Sequence, residues 1–100
     1  MMIKRIYPSK GQDVIFEISV DDNIDSFTLT FYTTTPTSGV VREMTDIKEG
    51  NLIKINASEL ATLDNGLLKC MAHTQTEDSD FNDDEYDEIE IIDTDFYIKN

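Results

Sequence analysis

Apolar and polar residues alternate along two stretches in the first third of the chain. In Gln12–Val20 every second residue is apolar, which places four on one face: Val14, Phe16, Ile18 and Val20. In Ser26–Thr34 the same spacing brings together Phe27, Leu29 and Phe31. A period of two is typical of half-buried strands, because successive side chains of a strand point to opposite faces. Both stretches are therefore predicted to be strands.

Four further segments have strand character but are shorter or less regular. They are Val40–Met44, Leu52–Ile55, Gly66–Thr74 and Glu88–Ile98, the last with a bend expected near Asp93. In Gly66–Thr74 the alternation assigns three small or apolar residues to the core face. The predicted core is formed by nine residues of three strands: Val14, Phe16, Ile18, Phe27, Leu29, Phe31, Leu68, Cys70 and Ala72.

Residues 56–63 are the one segment predicted to be helical. Asn56 is an N-cap type of residue and Glu59 follows three positions later, which is the spacing of a capping box. Leu60 and Leu63 are placed to anchor the turn in the core. The segment is too short for an independent helix, so we expect one or two turns that cross between sheets. With six or seven strands, the pattern predicts an all-β antiparallel sandwich.

Length and composition fit one domain, residues 1–100, with a core that needs no disulfide. The chain has 100 residues, 39% of them hydrophobic, and a single cysteine. Its 21 acidic and 8 basic residues give a net charge of −13, which repels nucleic acid and anionic membranes. Much of this charge lies near the end of the chain, and an acidic solvated loop is expected at about 77–87.

No catalytic constellation is recognisable. Cys70 and His73 are the candidates for a nucleophile and its base, but residues three apart in a strand point to opposite faces. No serine lies in a Gly-x-Ser-x-Gly turn, and no glycine-rich phosphate loop is present. The sequence therefore predicts a protein that is not an enzyme and needs no cofactor.

The acidic segment contains a partial calcium motif. Asp78, Asp80 and Asn82 match the first three ligand positions of a calcium-binding loop. The position that requires glycine is Asp83, and the position of the closing glutamate is Ile89. Because both geometric anchors are missing, no tight metal site is expected. Loose calcium binding at the surface remains an alternative to a solvated loop, and contact with a basic partner is compatible with that loop.

The order of strands and turns resembles small immunoglobulin-like domains of tailed-bacteriophage virion proteins. The resemblance covers nearly the whole chain and depends on Ile53–Leu68, a strand and a capped turn whose Asn-Gly pair leads into a core strand. Phe27–Thr34 upstream, and Asp84–Asp87 with Thr94–Ile98 downstream, complete it. The most similar types are anchoring domains of baseplate and fibre proteins, and head-fibre or capsid-decorating proteins of phages infecting Bacteroides-like hosts.

The resemblance implies a virion protein that is made in the cytoplasm of a bacterial host. A reducing cytoplasm also fits the lone cysteine, the absence of a visible signal peptide and the absence of a membrane-length apolar stretch. The family fixes appendages to the particle and commonly oligomerises. This sequence has no shaft or receptor-binding head, which favours an adaptor, anchor or decoration subunit.

Its partners are expected to be other virion proteins, such as capsid, fibre or tail subunits, and copies of itself. Docking is expected at exposed strand faces or edges, and four residues are predicted to contribute: Ile3, Ile6, Tyr7 and Tyr97.

Two other functions remain open. A carbohydrate-binding or adhesin-like sandwich would need an exposed aromatic platform, for which Tyr32, Tyr86 and Tyr97 are the candidates in a chain without tryptophan. An acidic inhibitor that mimics nucleic acid would fit the net charge. However, mimicry requires charges spaced along strands like phosphates, whereas here they are concentrated in one segment.

Overall fold

The described part of the chain forms seven strands in two antiparallel sheets. The computed structural model describes residues 1–5, 13–20, 24–77 and 85–99. The strands are β1 (Met2–Arg5), β2 (Val14–Ser19), β3 (Ile24–Tyr32), β4 (Val40–Glu43), β5 (Leu52–Ile55), β6 (Gly66–Glu77) and β7 (Glu85–Ile98). A short helix, α1 (Ala57–Leu60), lies between β5 and β6, and 3₁₀ turns occupy Pro36–Ser38 and Met44–Asp46.

The strand order is that of an immunoglobulin-like sandwich. One sheet has the order β1-β2-β5 and the other has the order β4-β3-β6-β7. The connections from β2 to β3, from β4 to β5 and from β5 to β6 cross between the sheets, as Greek-key connections do. The fourth strand belongs to the sheet of β3, β6 and β7, whereas in constant-type immunoglobulin domains it joins the other sheet. The predicted all-β antiparallel sandwich is thus confirmed.

The core lies between the two sheets and contains all nine residues predicted for it. The rings of Phe16 and Phe31, from opposite sheets, stack with their centroids 5.4 Å apart. Leu29 is fully buried in the middle of β3. The core is completed by apolar side chains from β4, β5, the crossover, and the end of β7: Val40, Ile53, Ile55, Leu60, Leu63 and Ile98.

The crossover predicted at about 56–63 consists of α1 and the turn that follows it. The Glu59 carboxylate accepts the backbone N–H of Asn56 at 3.0 Å, as the third residue of a capping box does. Leu60 and Leu63 are buried, so the turn is anchored in the core as expected. The backbone N–H of Ala57 donates to Asp13 at 2.7 Å, and this hydrogen bond lowers the pKa of the Asp13 carboxyl.

An arginine connects β4, an edge strand of the four-stranded sheet, to the crossover between β5 and β6. Arg42 of β4 donates to the Glu59 carboxylate and, at 3.1 Å, to the carbonyl of Lys54. The hydrogen bond from Arg42 lowers the pKa of Glu59, because it favours the ionised carboxylate.

The longest pair of strands is the hairpin of β6 and β7. Its ladder runs from the pair Gly66–Ile98 to the pair Glu77–Glu85. These strands include Glu77 and residues 85–87 of the acidic loop that was predicted at about 77–87, and the rest of that prediction, residues 78–84, lies outside the described residues.

The bend expected near Asp93 corresponds to a bulge in β7. Leu67 lies opposite Tyr97, and Lys69 lies opposite Asp93. A step of two residues along β6 is therefore matched by a step of four residues along β7. Thr94 lies inside the bulge, and its hydroxyl donates to the Leu68 carbonyl at 2.6 Å.

Candidate docking surface on the four-stranded sheet

The solvent-facing side of the sheet formed by β4, β3, β6 and β7, here called the outer face, carries the densest group of exposed apolar side chains among the described residues. The strand register aligns side chains in rows across this face. One row is Val41, Thr30, Met71 and Ile91, and the next is Glu43, Thr28, His73 and Ile89. Ile89 is 63% exposed, Ile91 is 51% exposed and Val41 is 52% exposed.

An open groove of about 620 Å³ lies on the outer face, and residues of the second row line it. It lies between the strands and the Met44–Asp46 turn, which is held in place by a hydrogen bond from the Glu43 backbone N–H to Asp46 at 2.7 Å. Six of its lining residues are Ser26, Thr28, Glu43, Met44, His73 and Gln75. Ser26 donates to Gln75 at 2.8 Å, so two polar side chains of this wall are already engaged.

A smaller apolar cavity of about 260 Å³ opens at one end of the sandwich. It shares Phe27 and Met44 with the groove, and its other apolar lining residues are Ile18, Val20, Ile24 and Ile47. Because Met44 is 47% exposed, its side chain forms part of the rim between the groove and this cavity.

β7 is the outermost strand of its sheet and is strongly acidic. In the described ranges its backbone pairs with β6 alone. Residues 88–98 include four exposed acids and no base: Glu88, Glu90, Asp93 and Asp95.

β1 lies beside part of β7 and contacts it through side chains. The N-terminal ammonium group lies 3.8 Å from Glu90, and Arg5 lies 3.4 Å from Asp95. The Arg5 guanidinium also sits 5.7 Å from the centroid of the Phe96 ring, a cation–π distance. In the described residues neither Glu88 nor Asp93 forms an ion pair, although Lys69 lies opposite Asp93 on β6.

Of the four residues predicted for an interface, the structure describes two, Ile3 and Tyr97, and these lie in different sheets. Tyr97 is 70% exposed on the outer face, opposite Leu67. Ile3 is half-buried and packs against the core from β1, in the other sheet. Ile6 and Tyr7 lie outside the described residues. Tyr97 and Ile3 therefore do not belong to one surface.

Sequence reasoning missed the two isoleucines that are most exposed on the outer face. Ile89 and Ile91 are spaced like members of a strand face, but Ile92 follows directly and also contacts the core. The sequence of residues 89–92 therefore does not indicate which side of β7 points outward. The pairing of Ile89 with His73 and of Ile91 with Met71 resolves the assignment.

The candidate nucleophile and base are on opposite faces of β6, as predicted. Cys70 is fully buried in the core, and burial raises the pKa of its thiol to about 12, which suppresses the nucleophilic thiolate. His73 lines the groove on the outer face. The two side chains therefore cannot act as a pair.

The remaining predicted site residues divide between described and undescribed parts of the chain. The partial calcium motif of Asp78, Asp80 and Asn82 lies outside the described residues. Within the described ranges, no group of three or more His, Cys, Asp or Glu side chains is arranged to hold a metal ion. Of the three tyrosines considered as a sugar platform, Tyr32 is buried and Tyr97 is exposed, while the side chain of Tyr86 is not described.

Comparisons of the chain with protein-family models, with curated proteins and with solved structures found no match. Among the described residues, no helix is long and apolar enough to cross a membrane.

Proposed function

We propose that this protein is a non-enzymatic structural subunit of a bacteriophage virion, an adaptor, anchor or decoration subunit that acts by protein–protein docking. The observation that carries the docking role is the group of exposed apolar residues on the outer face, above all Ile89 and Ile91 of β7. Contiguous exposed apolar surface on a small domain is typical of a binding site for another protein.

The outer face has enough area for a specific interface at the small end of the range. Strands are spaced about 4.8 Å apart and rise about 3.3 Å per residue, so three strands over the nine residues of β3, with the four residues of β4 beside them, span roughly 500 Å². An interface that covers this face on both partners would bury roughly 1,000 Å², the lower limit for a specific complex. Such an interface suits a subunit that is held in place by many neighbours of an assembly.

The virion assignment is supported by the resemblance in strand layout. The capped turn on which the resemblance depends is the crossover between β5 and β6. The proposed partners are other virion proteins, namely capsid, fibre or tail subunits, and further copies of the chain. The proposed location is the virion, after synthesis in the bacterial cytoplasm.

Mass spectrometry of purified particles tests the proposal, because a virion subunit is present at a fixed copy number. Docking through the outer face is tested with Ile89→Thr combined with Ile91→Thr, which keeps β-branched side chains but removes apolar surface. We expect this variant to fold and to be lost from the particles. The control is Met2→Thr, since Met2 is 73% exposed but belongs to the other sheet, and this variant should still be incorporated.

The groove on the outer face supports carbohydrate binding as a second candidate function. Its wall carries the polar side chains of Glu43, His73 and Gln75, groups that suit sugar hydroxyls. A protein that stays monomeric, is absent from particles and binds a defined glycan on an array would support this second function and contradict the first.

A further inference from the structure

The outer edge of β7 is a long strand edge that is protected by charge rather than by shortness, proline or lysine. β7 is 14 residues long, and within the described residues no backbone hydrogen bond joins it to a strand other than β6. Natural edge strands are commonly short, or interrupted by proline or lysine, because a long free edge pairs readily with another chain. β7 contains neither residue, and its bulge begins only at Asp93.

β1 shields one half of this edge and leaves the other half open. Its contacts to β7 run from Glu90, beside the N-terminus, to Asp95 and Phe96, beside Arg5. The stretch from Glu85 to Ile89 continues beyond these contacts toward the end of the hairpin. Among the described residues, the accessible edge is therefore the start of β7, residues 85–89.

The two sides of this half-strand differ in chemistry. Ile89 and Ile91 point to the outer face, and Glu88 and Glu90 point to the opposite side, where both are exposed. A strand added to the edge would place its own side chains next to these, alternately on one side and the other. Apolar residues would fit beside the isoleucines, and basic residues would fit beside the glutamates.

Charge decides between the possible occupants of the edge. A second copy paired through β7 would place acidic residues of one copy beside acidic residues of the other, which is unfavourable for cross-strand neighbours. Nucleic acid is repelled for the same reason, since the whole chain has a net charge of −13. A strand in which basic and apolar residues alternate meets both requirements.

We propose that the edge of β7 over residues 85–89 binds a partner protein by strand addition, and that the added segment alternates basic and apolar residues. The inference rests on the docking function proposed above and names the chemistry of the partner. Contacts between copies of the chain in an assembly would then use another surface.

Synthetic peptides test the proposal directly. The probe is an eight-residue peptide of alternating lysine and valine with blocked ends, and the comparison peptide has glutamate in place of lysine. Binding is measured by isothermal titration calorimetry at low and physiological salt. We expect the lysine peptide to bind the protein and the glutamate peptide to bind at least tenfold more weakly.

Charge reversal on β7 separates a specific edge from general attraction to an acidic protein. Glu88→Lys combined with Glu90→Lys should weaken the lysine peptide at least tenfold and make the glutamate peptide the better ligand. The control is Asp25→Lys combined with Glu49→Lys, two exposed positions outside β7 that give the same net charge. This control should keep the preference of the wild type. Glu88→Lys alone keeps the contact of Glu90 with the N-terminus and serves if the double variant does not fold.

Main-chain pairing is tested with the lysine peptide N-methylated at every residue, which removes the N–H donors from both edges of the added strand and should abolish binding. The proposal is overturned by equal binding of the methylated peptide, by an equal loss in the control variant, or by no binding at millimolar peptide. Ultracentrifugation adds a further test. If the wild type forms dimers and charge reversal on β7 dissociates them, the edge serves contacts between copies and the proposal is overturned. These outcomes are independent of particle incorporation, so peptide binding without incorporation contradicts only the virion role, and incorporation without peptide binding contradicts only the edge.

Discussion

The buried hydroxyl of Thr94 is expected to hold the bulge of β7 in place. It donates to the Leu68 carbonyl at 2.6 Å and accepts the Phe96 backbone N–H at 3.2 Å. Both bonds lie where the ladder between β6 and β7 is interrupted, so the hydroxyl takes the place of missing backbone pairs. The informative change is Thr94→Val, which keeps the size and branching of the side chain and removes both hydrogen bonds.

The expected loss of stability follows from the groups left without partners. An unsatisfied buried carbonyl costs about 1–3 kcal/mol, and the partly buried amide of Phe96 adds about 1 kcal/mol. We therefore expect Thr94→Val to lower the free energy of unfolding by about 2–4 kcal/mol. For a domain of 100 residues this corresponds to a fall in Tm of roughly 10–30 °C.

Urea unfolding followed by far-UV circular dichroism measures this loss, since the chain has no tryptophan to report by fluorescence. Thr94→Ser retains the hydroxyl and loses only one methyl group. Its free energy of unfolding should therefore fall by no more than about 1 kcal/mol beyond the loss that this methyl group accounts for. Thr28→Val, on the outer face of β3, should change stability by less than about 0.5 kcal/mol. If Thr94→Val is as stable as Thr94→Ser, the hydroxyl does not support the bulge and the reasoning fails.

Two further predictions concern the core and the crossover. Leu29→Ala should cost about 2–5 kcal/mol in urea unfolding because Leu29 is fully buried. Val41→Ala, at an exposed position of the neighbouring strand, should cost within about 0.5 kcal/mol, and equal losses would contradict the assignment of faces. Glu59→Gln should destabilise the protein more at pH 7 than at pH 3.5, because Arg42 lowers the pKa of Glu59 in the folded protein. The stabilisation from this ion pair is present above the unfolded pKa and is lost as the pH falls through the folded pKa. Unfolding curves at both pH values check this, with Glu49→Gln as the control, and a pH-independent difference for Glu59→Gln would refute it.

The core could be predicted from the sequence because its strands are buried on one side only. In β2 and β3 the alternation of Val14, Phe16 and Ile18, and of Phe27, Leu29 and Phe31, reports directly which face meets the opposite sheet. The crossover was predictable for a different reason, since the spacing of Asn56 and Glu59 is a local signal that needs no knowledge of the sheets.

The outer face could not be predicted because β7 departs from simple alternation. Glu88 and Glu90 have the strand parity of inward residues, yet both are exposed. The bulge then inserts two residues near Asp93, which leaves the alternation unchanged, and the even-numbered residues Ile92, Thr94, Phe96 and Ile98 all face the core. Only the pairing with β6 shows that Ile89 and Ile91 share one surface with Met71 and His73.

The distribution of charge on β7 opposes pairing of its open edge with the same edge of a second copy. An exposed strand edge with apolar side chains is normally a site of aggregation. Here the residues that alternate with Ile89 and Ile91 are acidic, so two copies repel each other along the edge on which they would otherwise pair. The same repulsion becomes attraction for a basic strand, and therefore one set of side chains both prevents the unwanted pairing and selects the partner.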